Sequence, residues 1–159
     1  MSKALQVLSE YLDNSKIDYQ SLDANTLAVT IPGEKKLYTN AIFKVSDKTL
    51  SVNAFVIRKP DQNSERVHEW LLRHNSTNYL LSYAVNELGD IYLVGRLPIE
   101  LVTREEIDRI IGAIHEYCDS SFNILLELGF EDAIRREWAW RISRGESVAN
   151  LEAFTHLKS

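Results

Sequence analysis

Residues 103–129 carry the pattern that most constrains the fold, because they predict one helix of unusual length. Small or apolar residues recur at alternating spacings of four and three: Ile107, Ile111, Ile114, Cys118, Ser121, Leu125 and Leu128. Thr103 and Glu106 form a capping box at the start, and Gly129 is typical of a residue that ends a helix. A second apolar line, Ile110, Tyr117 and Ile124, lies beside the first. So wide an apolar face predicts that the helix crosses a whole sheet or shares part of that face with a partner.

The first part of the chain supplies strands for such a sheet. Apolar residues alternate over 27–31, and β-prone runs follow at 37–45 and 50–57. The 50–57 run is almost continuously apolar or β-branched, which predicts a central strand covered by helices on one face. Residues 46–49 would join it to the preceding strand as a tight hairpin. Residues 17–22 are a candidate for a further short strand.

Further strands and helices follow from local signals. Two strands are predicted at 79–86 and 91–97, where Gly89 supplies the positive φ of a hairpin. Helices are predicted after Ser2 and after Ser64, two residues that we expect to act as N-caps. The inner stripe of the second helix would be Val67, Trp70, Leu71 and His74. At the C-terminus, 132–144 predicts a helix and the tail with Val148, Leu151 and Phe154 a short docked one.

The predicted order is α-β-β-β-α-β-β-α with an added C-terminal helix. Local hairpins dominate it, which favours an α+β fold: a mainly antiparallel sheet of about five strands with helices packed on one side. Residues 1–130 are expected to form this domain. Residues 131–159 are expected to be a C-terminal helical extension packed on the same domain.

Length and charge limit the classes of function. The chain has 159 residues, one cysteine and a net charge of −5. A domain of this size buries enough surface to fold without disulfides. The negative charge disfavours a general binder of nucleic-acid backbones, which carries a basic footprint. Ser9, Glu10 and Asp13 interrupt the N-terminal apolar stretch, and no apolar run is long enough to span a bilayer. We therefore expect a cytoplasmic protein with no membrane partner.

No set of residues predicts catalysis or a metal site. His115 and Cys118 share a helix face, but a structural zinc site usually needs four nitrogen or sulfur ligands. Cys118 also belongs to the apolar repeat, where burial would make the thiol inert. Carboxylates cluster only at helix starts, where they complement the helix dipole: Glu105, Glu106 and Asp108, then Glu131 and Asp132. We expect no catalytic residue, no metal and no cofactor.

The most unusual stretch is 134–144, which interleaves two tryptophans with four arginines. Such a helix can stack on bases or grip a peptide, which makes Trp138, Trp140, Arg136 and Arg141 candidate binding residues. The alternative is structural. Trp138 would lie in the core, Trp140 would pack under the tail, and the arginines would form a solvated face offset by nearby acidic residues.

The middle of the chain resembles a known family. An Asn-rich loop at 75–78, a Gly89-Asp90 hairpin, Pro98 after the second strand and the capped long helix that closes at Gly129 follow one another in this order. Together they resemble the YbjN family of bacterial sensory transduction regulators over most of 26–129. That family is similar in fold to type III secretion chaperones of the CesT kind. Those chaperones share the predicted order of elements, are commonly homodimers and hold an extended segment of a client protein.

The resemblance implies binding and supplies no catalytic residues. We expect a non-enzymatic protein-binding module, chaperone-like or regulatory, that forms a homodimer and binds a protein or peptide client. The helix from 132 and the tail exceed the minimal chaperone order. Two alternatives stay open: a small-ligand-binding or enzymatic domain with a pocket between sheet and helices, and nucleic-acid binding through the helix 134–144. A nucleic-acid partner is the less favoured of these because the chain is acidic.

Overall fold

A computed structural model describes residues 2–158 as an antiparallel sheet with helices on one side. The strands are β1 (Asp18–Asp23), β2 (Thr26–Pro32), β3 (Tyr38–Val45), β4 (Thr49–Ile57), β5 (Ser82–Val85) and β6 (Ile91–Pro98). The helices are α1 (Lys3–Asn14), α2 (Ser64–Asn75) and α3 (Arg104–Arg144), with 3₁₀ helices at Ile99–Leu101 and Ala149–Leu157. Within the described residues the strand order is β1-β2-β3-β4-β6-β5, and each neighbouring pair is antiparallel.

The predicted α+β class and the order of elements are confirmed. The 50–57 run forms β4, which lies between β3 and β6 in the sheet, as expected of a central strand. The 17–22 segment forms β1, so the described sheet has six strands rather than about five. The first helix begins after Ser2, whose side chain accepts a hydrogen bond from the backbone N–H of Leu5.

One face of the sheet is buried because side chains alternate along each strand. The buried residues of β3 are Thr39, Ala41, Phe43 and Val45, and the residues between them are exposed. β2 and β4 repeat this alternation, and the buried side chains form one core with the inner faces of α1, α2 and α3. The opposite face of the sheet is left to solvent.

The long apolar line of α3 lies in this core, as its spacing predicted. Ile107, Ile114 and Cys118 are fully buried. The second line changes along the helix, because Ile110 is fully buried whereas Ile124 is 47% exposed. A straight helix cannot follow a twisted sheet over its whole length, so the second line emerges into solvent towards its end.

The capping box at the start of α3 forms only in part. The Thr103 hydroxyl accepts a hydrogen bond from the backbone N–H of Glu106, at 3.2 Å. The Glu106 carboxylate does not return the contact, since it accepts a hydrogen bond from the Tyr79 hydroxyl and pairs with Arg109. The predicted reciprocal half of the box is therefore wrong. The carboxylate instead ties the loop before β5 to α3.

The helix does not end at Gly129. The break lies one residue later, at Phe130, whose φ of −139° and ψ of 25° are non-helical. The backbone N–H groups of Asp61 and Gln62 donate to the Gly129 carbonyl at 3.0 and 3.2 Å. The Gln62 side chain accepts from the backbone N–H of Asp132 at 2.9 Å. The loop before α2 therefore satisfies groups at the end of one helical segment and the start of the next.

Gly129 has a role other than the predicted one. A Cβ at this position would lie 3.0 Å from the Cβ of Pro60, so glycine allows the loop to approach α3. The prediction that Gly129 ends the helix is wrong. The predicted helix 132–144 corresponds to the segment after the break, and Gly145, with φ of 68°, follows its end.

The segment after the break packs against the tail around Trp138. Trp138 is 4% exposed and donates from Nε1 to the Phe154 carbonyl at 3.1 Å. The other buried members of this cluster are Ile134, Leu151, Phe154 and Leu157, and Leu126 of α3 packs against both this cluster and the main core. Trp140 is 50% exposed, with the Arg144 guanidinium 4.9 Å from the ring centroid. The expectation that Trp140 packs under the tail is wrong, because residues two apart on a helix lie on different faces.

Two predictions about α2 are also corrected. Ser64 is the first helical residue, and the cap position is taken by Asn63 in a left-handed conformation with φ of 55°. The Asn63 side chain makes no cap and donates instead to the Leu128 carbonyl at 2.9 Å. His74 is exposed rather than part of the inner stripe, and it stacks on Trp70 with ring centroids 3.7 Å apart.

Candidate binding surface

On the face of the sheet opposite the helices, one row across the middle combines apolar Ala28, Ile42 and Val94 with polar Asn53 and Ser82. We call it the apolar row after its three apolar members. The strand register aligns Ala28, Ile42, Asn53, Val94 and Ser82 on β2, β3, β4, β6 and β5. Ile42 is 38% exposed and Val94 is partly exposed. A solvent-facing side of an antiparallel sheet is normally polar. An apolar row on this face is not needed for the core and indicates a contact surface.

A second row beside it is aromatic. Phe55, Tyr92 and Ala84 are aligned on β4, β6 and β5. The rings of Phe55 and Tyr92 meet edge to face, with centroids 5.4 Å apart, which is a favourable geometry for two aromatic rings. At the sheet edge, Val85 is 45% exposed. The aromatic row therefore widens the apolar surface along the strands.

A third row on the other side of the first is basic. Lys44, Ser51 and Arg96 are aligned on β3, β4 and β6, and both cationic residues are exposed. The face thus changes from aromatic through apolar to basic along the strand direction. Such a gradient gives a bound peptide a preferred orientation, because apolar and acidic side chains would favour different rows.

These rows line a concave surface. Two depressions, of about 450 and 570 Å³, lie on this face and share Asn53 and Val94. We call the combined feature the sheet trough, and its principal residues are Ile42, Asn53, Ser82, Tyr92, Val94 and Arg96. Volumes of this size accommodate side chains of a bound segment.

Leu80 shapes one end of the trough. Its φ of 60° lies in the left-handed region, which costs an ordinary residue about 1–2 kcal/mol. Gly95 permits the close approach of this segment, since a Cβ there would lie 2.6 Å from Leu81 Cδ2 and 3.0 Å from the Leu80 carbonyl oxygen. The predicted strand 79–86 is therefore shorter than expected, because pairing with β6 begins only at Ser82.

The predicted binding residues on the Arg/Trp helix do not line the trough. Trp138 is buried under the tail, and Trp140 and Arg136 are exposed. Arg141 pairs with Glu137 at 2.6 Å and donates to the Ser147 carbonyl at 2.8 Å. Ion pairs with acidic neighbours also involve Arg135 with Glu131 and Arg144 with Glu146. Their role in binding stays a prediction, and much of the basic charge of this helix is offset locally.

The two residues considered for metal binding lie in different settings. His115 Nδ1 is 2.9 Å from the Pro32 carbonyl oxygen. Cys118 is fully buried, and burial raises the pKa of its thiol to about 11. Among residues 2–158, no three or more His, Cys, Asp or Glu side chains are grouped so that they could hold a metal ion. No helix in the same range is both long and apolar enough to cross a membrane.

Sequence reasoning missed the trough, although a signal for it exists. On β3 and β6, Ile42, Tyr92 and Val94 occupy positions that alternate with the buried residues. Apolar side chains on both sides of an antiparallel strand indicate a second contact surface. The alignment of these residues with those of β4 and β5 depends on register, which the alternation of one strand does not show.

A model of the YbjN family, described as "Putative bacterial sensory transduction regulator", matches residues 4–127. The chain belongs to the YbjN family. The match stops before the break at Phe130, so the family model does not reach the Trp138 cluster. An uncharacterised protein of Mycobacterium tuberculosis is 51% identical over 132 residues, which cover 83% of this chain and 72% of that protein. An uncharacterised protein of Mycobacterium leprae is 51% identical over 131 residues, covering 82% and 71%.

Two solved structures share the fold of this YbjN-family chain. A chain of the ExsC–ExsE complex matches with a TM-score of 0.57 and 13% identity, covering 79% of this chain and 97% of that chain. A chain of the heterodimeric ExoU–SpcU complex, from the type III secretion system of Pseudomonas aeruginosa, matches with a TM-score of 0.56 and 16% identity, covering 74% and 96%. The likeness confirms the predicted type III secretion chaperone-like fold.

Proposed function

We propose that this chain is a non-enzymatic protein-binding module, chaperone-like or regulatory, which holds an extended segment of a partner protein in the sheet trough. The observation that carries the proposal is the apolar row, on a sheet face that no helix within residues 2–158 covers. The fold supports it, because the similar chains were solved in the ExsC–ExsE and ExoU–SpcU complexes.

The trough suits an extended segment for geometric reasons. Neighbouring strands lie about 4.8 Å apart, so the trough crosses β3, β4, β6 and β5 over roughly 15 Å. An extended segment spans that distance with about five residues. Apolar side chains would enter beside Ile42 and Val94, and an acidic side chain would reach Lys44 or Arg96. The favoured client segment is therefore extended and apolar, with acidic side chains on the side that faces Lys44 and Arg96.

The settings of the candidate reactive groups support a binding role rather than catalysis. Cys118 is fully buried, so its thiol stays protonated at neutral pH. His115 is engaged by a backbone carbonyl. Burial also raises the pKa of Tyr83 to about 12, and its hydroxyl donates to the Tyr117 carbonyl at 3.0 Å. Cys118 and Tyr83 therefore contribute to packing, and neither is ionised at neutral pH.

A homodimer is part of the proposal. The exposed end of the second apolar line of α3, at Ile124, is the surface that we assign to the contact between copies. An apolar side chain on an exposed helix face gains stability when a second copy covers it. The sheet trough lies on the other side of the sheet from α3, so dimer formation would leave it open to a client.

A photo-crosslinking experiment tests the trough directly. A photoreactive phenylalanine analogue at Ile42 should crosslink one recurrent client segment in native lysate, because this position lies inside the trough. The matched control carries the same analogue at Glu10, an exposed position on α1 at the far face. Val94→Glu, which places a charge in the apolar row, should abolish the crosslink from Ile42. Equal crosslinking from both positions, or an unchanged pattern in the V94E variant, would contradict the proposal.

A further inference from the structure

A second concave site lies at the junction of the sheet, α3 and the tail, where it shares Phe55 with the aromatic row. It has a volume of about 480 Å³ and is lined mainly by apolar side chains. We call it the lysine cleft, defined by Lys36, Phe55, Phe122, Phe130, Ile134 and Leu151. Its size falls within the range of pockets that hold small molecules.

Lys36 places an ammonium group among these apolar side chains. Its Nζ lies 5.5 Å from the centroid of the Phe55 ring and 5.8 Å from that of Phe122. The Nζ donates a hydrogen bond to the Phe55 carbonyl oxygen, beyond the last β3–β4 pair at Ala41 and Ala54. The Lys36 ammonium therefore replaces the backbone N–H donor that a neighbouring strand would supply, at the point where β3 no longer pairs with β4.

This cation has no carboxylate partner among residues 2–158. The ion pairs of the described chain involve other residues, and the acidic residue that lines the cleft, Glu137, already pairs with Arg141 at 2.6 Å. The other cation at the cleft, Arg58, pairs with Asp61 at 2.9 Å. Burial lowers the pKa of the Lys36 ammonium, against a smaller opposing effect of Cys118. A desolvated ammonium with one hydrogen bond retains two donors for a ligand.

We propose that the lysine cleft binds a small amphiphilic carboxylate, such as a medium-chain fatty acid, with the carboxylate on Lys36 Nζ and the hydrocarbon chain against Phe122, Phe130 and Leu151. The chemistry of the lining selects this class. Of the two cations at the cleft, Arg58 already pairs with Asp61, so Lys36 is the one left for a ligand and favours a monoanion. The apolar walls favour an unbranched or aromatic hydrocarbon over a polar one. A phosphate or nucleotide would need more donors than one lysine offers.

The lining of the cleft comes from two parts of the chain. Its walls come both from residues within the family match, such as Phe55 and Phe122, and from Ile134 and Leu151, which lie beyond it. A ligand in the cleft would therefore contact the sheet and the C-terminal segment together. The site is separate from the sheet trough and independent of the proposed protein-binding function.

The test uses the full chain, with sodium decanoate as the probe. Titration calorimetry measures its binding at concentrations below the critical micelle concentration of decanoate. Decanoate should bind saturably and about tenfold more tightly than 1-decanol, because only the carboxylate pairs with Lys36. Lys36→Met keeps an apolar side chain of similar length and should remove that difference by weakening decanoate binding about tenfold. Lys35→Met, one residue earlier and exposed, is the matched control and should leave both affinities unchanged.

A measurement on the wild-type protein tests the proposal even if the K36M variant does not fold. In NMR spectra, the methylene protons of ¹³C-labelled decanoate should show intermolecular contacts with the ring protons of Phe122 and Phe130. Non-saturable binding, equal affinities for decanoate and decanol, or contacts elsewhere on the surface would each overturn the proposal. Because crosslinking from Ile42 reports on the other site, failure here would leave the proposed client binding standing, and the reverse also holds.

Discussion

The Asp119 side chain holds Lys36 in place, with Oδ1 3.0 Å from the backbone nitrogen of Lys36. The same oxygen accepts hydrogen bonds from the backbone N–H groups of Glu34 and Lys35, both at 2.8 Å. One carboxylate of α3 therefore fixes the turn between β2 and β3. Gly33 allows this tight turn, because a Cβ there would lie 2.1 Å from the Lys36 carbonyl oxygen. The turn aims the Lys36 side chain into the lysine cleft.

Removal of the Asp119 carboxylate should destabilise the protein in a pH-dependent way. Burial is the largest single influence and raises the pKa of this carboxyl, but the three backbone hydrogen bonds together outweigh it and hold the pKa below its ordinary value. A lowered folded-state pKa means that the stabilisation is present above the unfolded pKa of about 3.9 and is lost as pH falls through the folded value. Asp119→Ala should therefore lower the free energy of unfolding by about 2 kcal/mol at pH 7, and by less near pH 2–3, below the unfolded pKa.

Urea denaturation at both pH values measures this difference. Glu116→Ala, an exposed carboxylate on the same helix, is the control and should change stability by less than about 0.5 kcal/mol. A loss in the D119A variant that is equal at both pH values would show that the charge of Asp119 contributes nothing.

The two tryptophans of the Arg/Trp helix should respond in opposite ways to truncation. Trp138→Ala should cost about 3–5 kcal/mol and release the tail, since Trp138 is buried and holds the Phe154 carbonyl. Trp140→Ala should cost less than about 1 kcal/mol because that side chain is half exposed. Hydrogen exchange of residues 149–157, together with thermal unfolding, measures both effects. Similar losses at the two positions would argue against the packing described.

The Cys118 thiol should resist modification in the folded protein. Burial raises its pKa to about 11, so at pH 8 only about one thiol in a thousand is ionised, and the side chain is shielded as well. A thiol reagent such as dithionitrobenzoate should label the chain only as urea unfolds it, with a midpoint that matches the unfolding transition. Rapid stoichiometric labelling of the native protein at pH 8 would contradict this expectation.

The proposed dimer gives a mass prediction. Light scattering at micromolar concentration should give about twice the chain mass of 18.3 kDa. Ile124→Glu should shift the mass to that of one chain with little change in the thermal stability of the monomer, because Ile124 is about half exposed. Leu88→Glu, at the exposed tip of the β5–β6 hairpin, is the control and should remain dimeric. A monomeric wild-type protein would contradict the homodimer proposal.

Predictions that depended on residues close in sequence were the most successful. Alternation and turn residues placed the strands and the Gly89 hairpin, and the spacing of the long helix placed Cys118 in the core. Each of these depends on the period of a helix or strand, or on the φ that a turn requires. Predictions about the hydrogen-bond partner of a side chain were less successful. The Glu106 carboxylate, for example, accepts from the Tyr79 hydroxyl of a distant loop and not from the cap of its own helix.

The sequence by itself determined the order of elements, most of the buried positions and the family, because these follow from local periodicity and from residue identity. Only the tertiary structure decided where the long helix breaks, because the loop at Asp61 and Gln62 supplies the hydrogen bonds that let the chain turn at Phe130. Tertiary packing also selected Trp138 over Trp140 for burial. The sheet trough and the lysine cleft exist only once distant strands and helices meet, since register and the spacing between elements depend on the packing of the whole core.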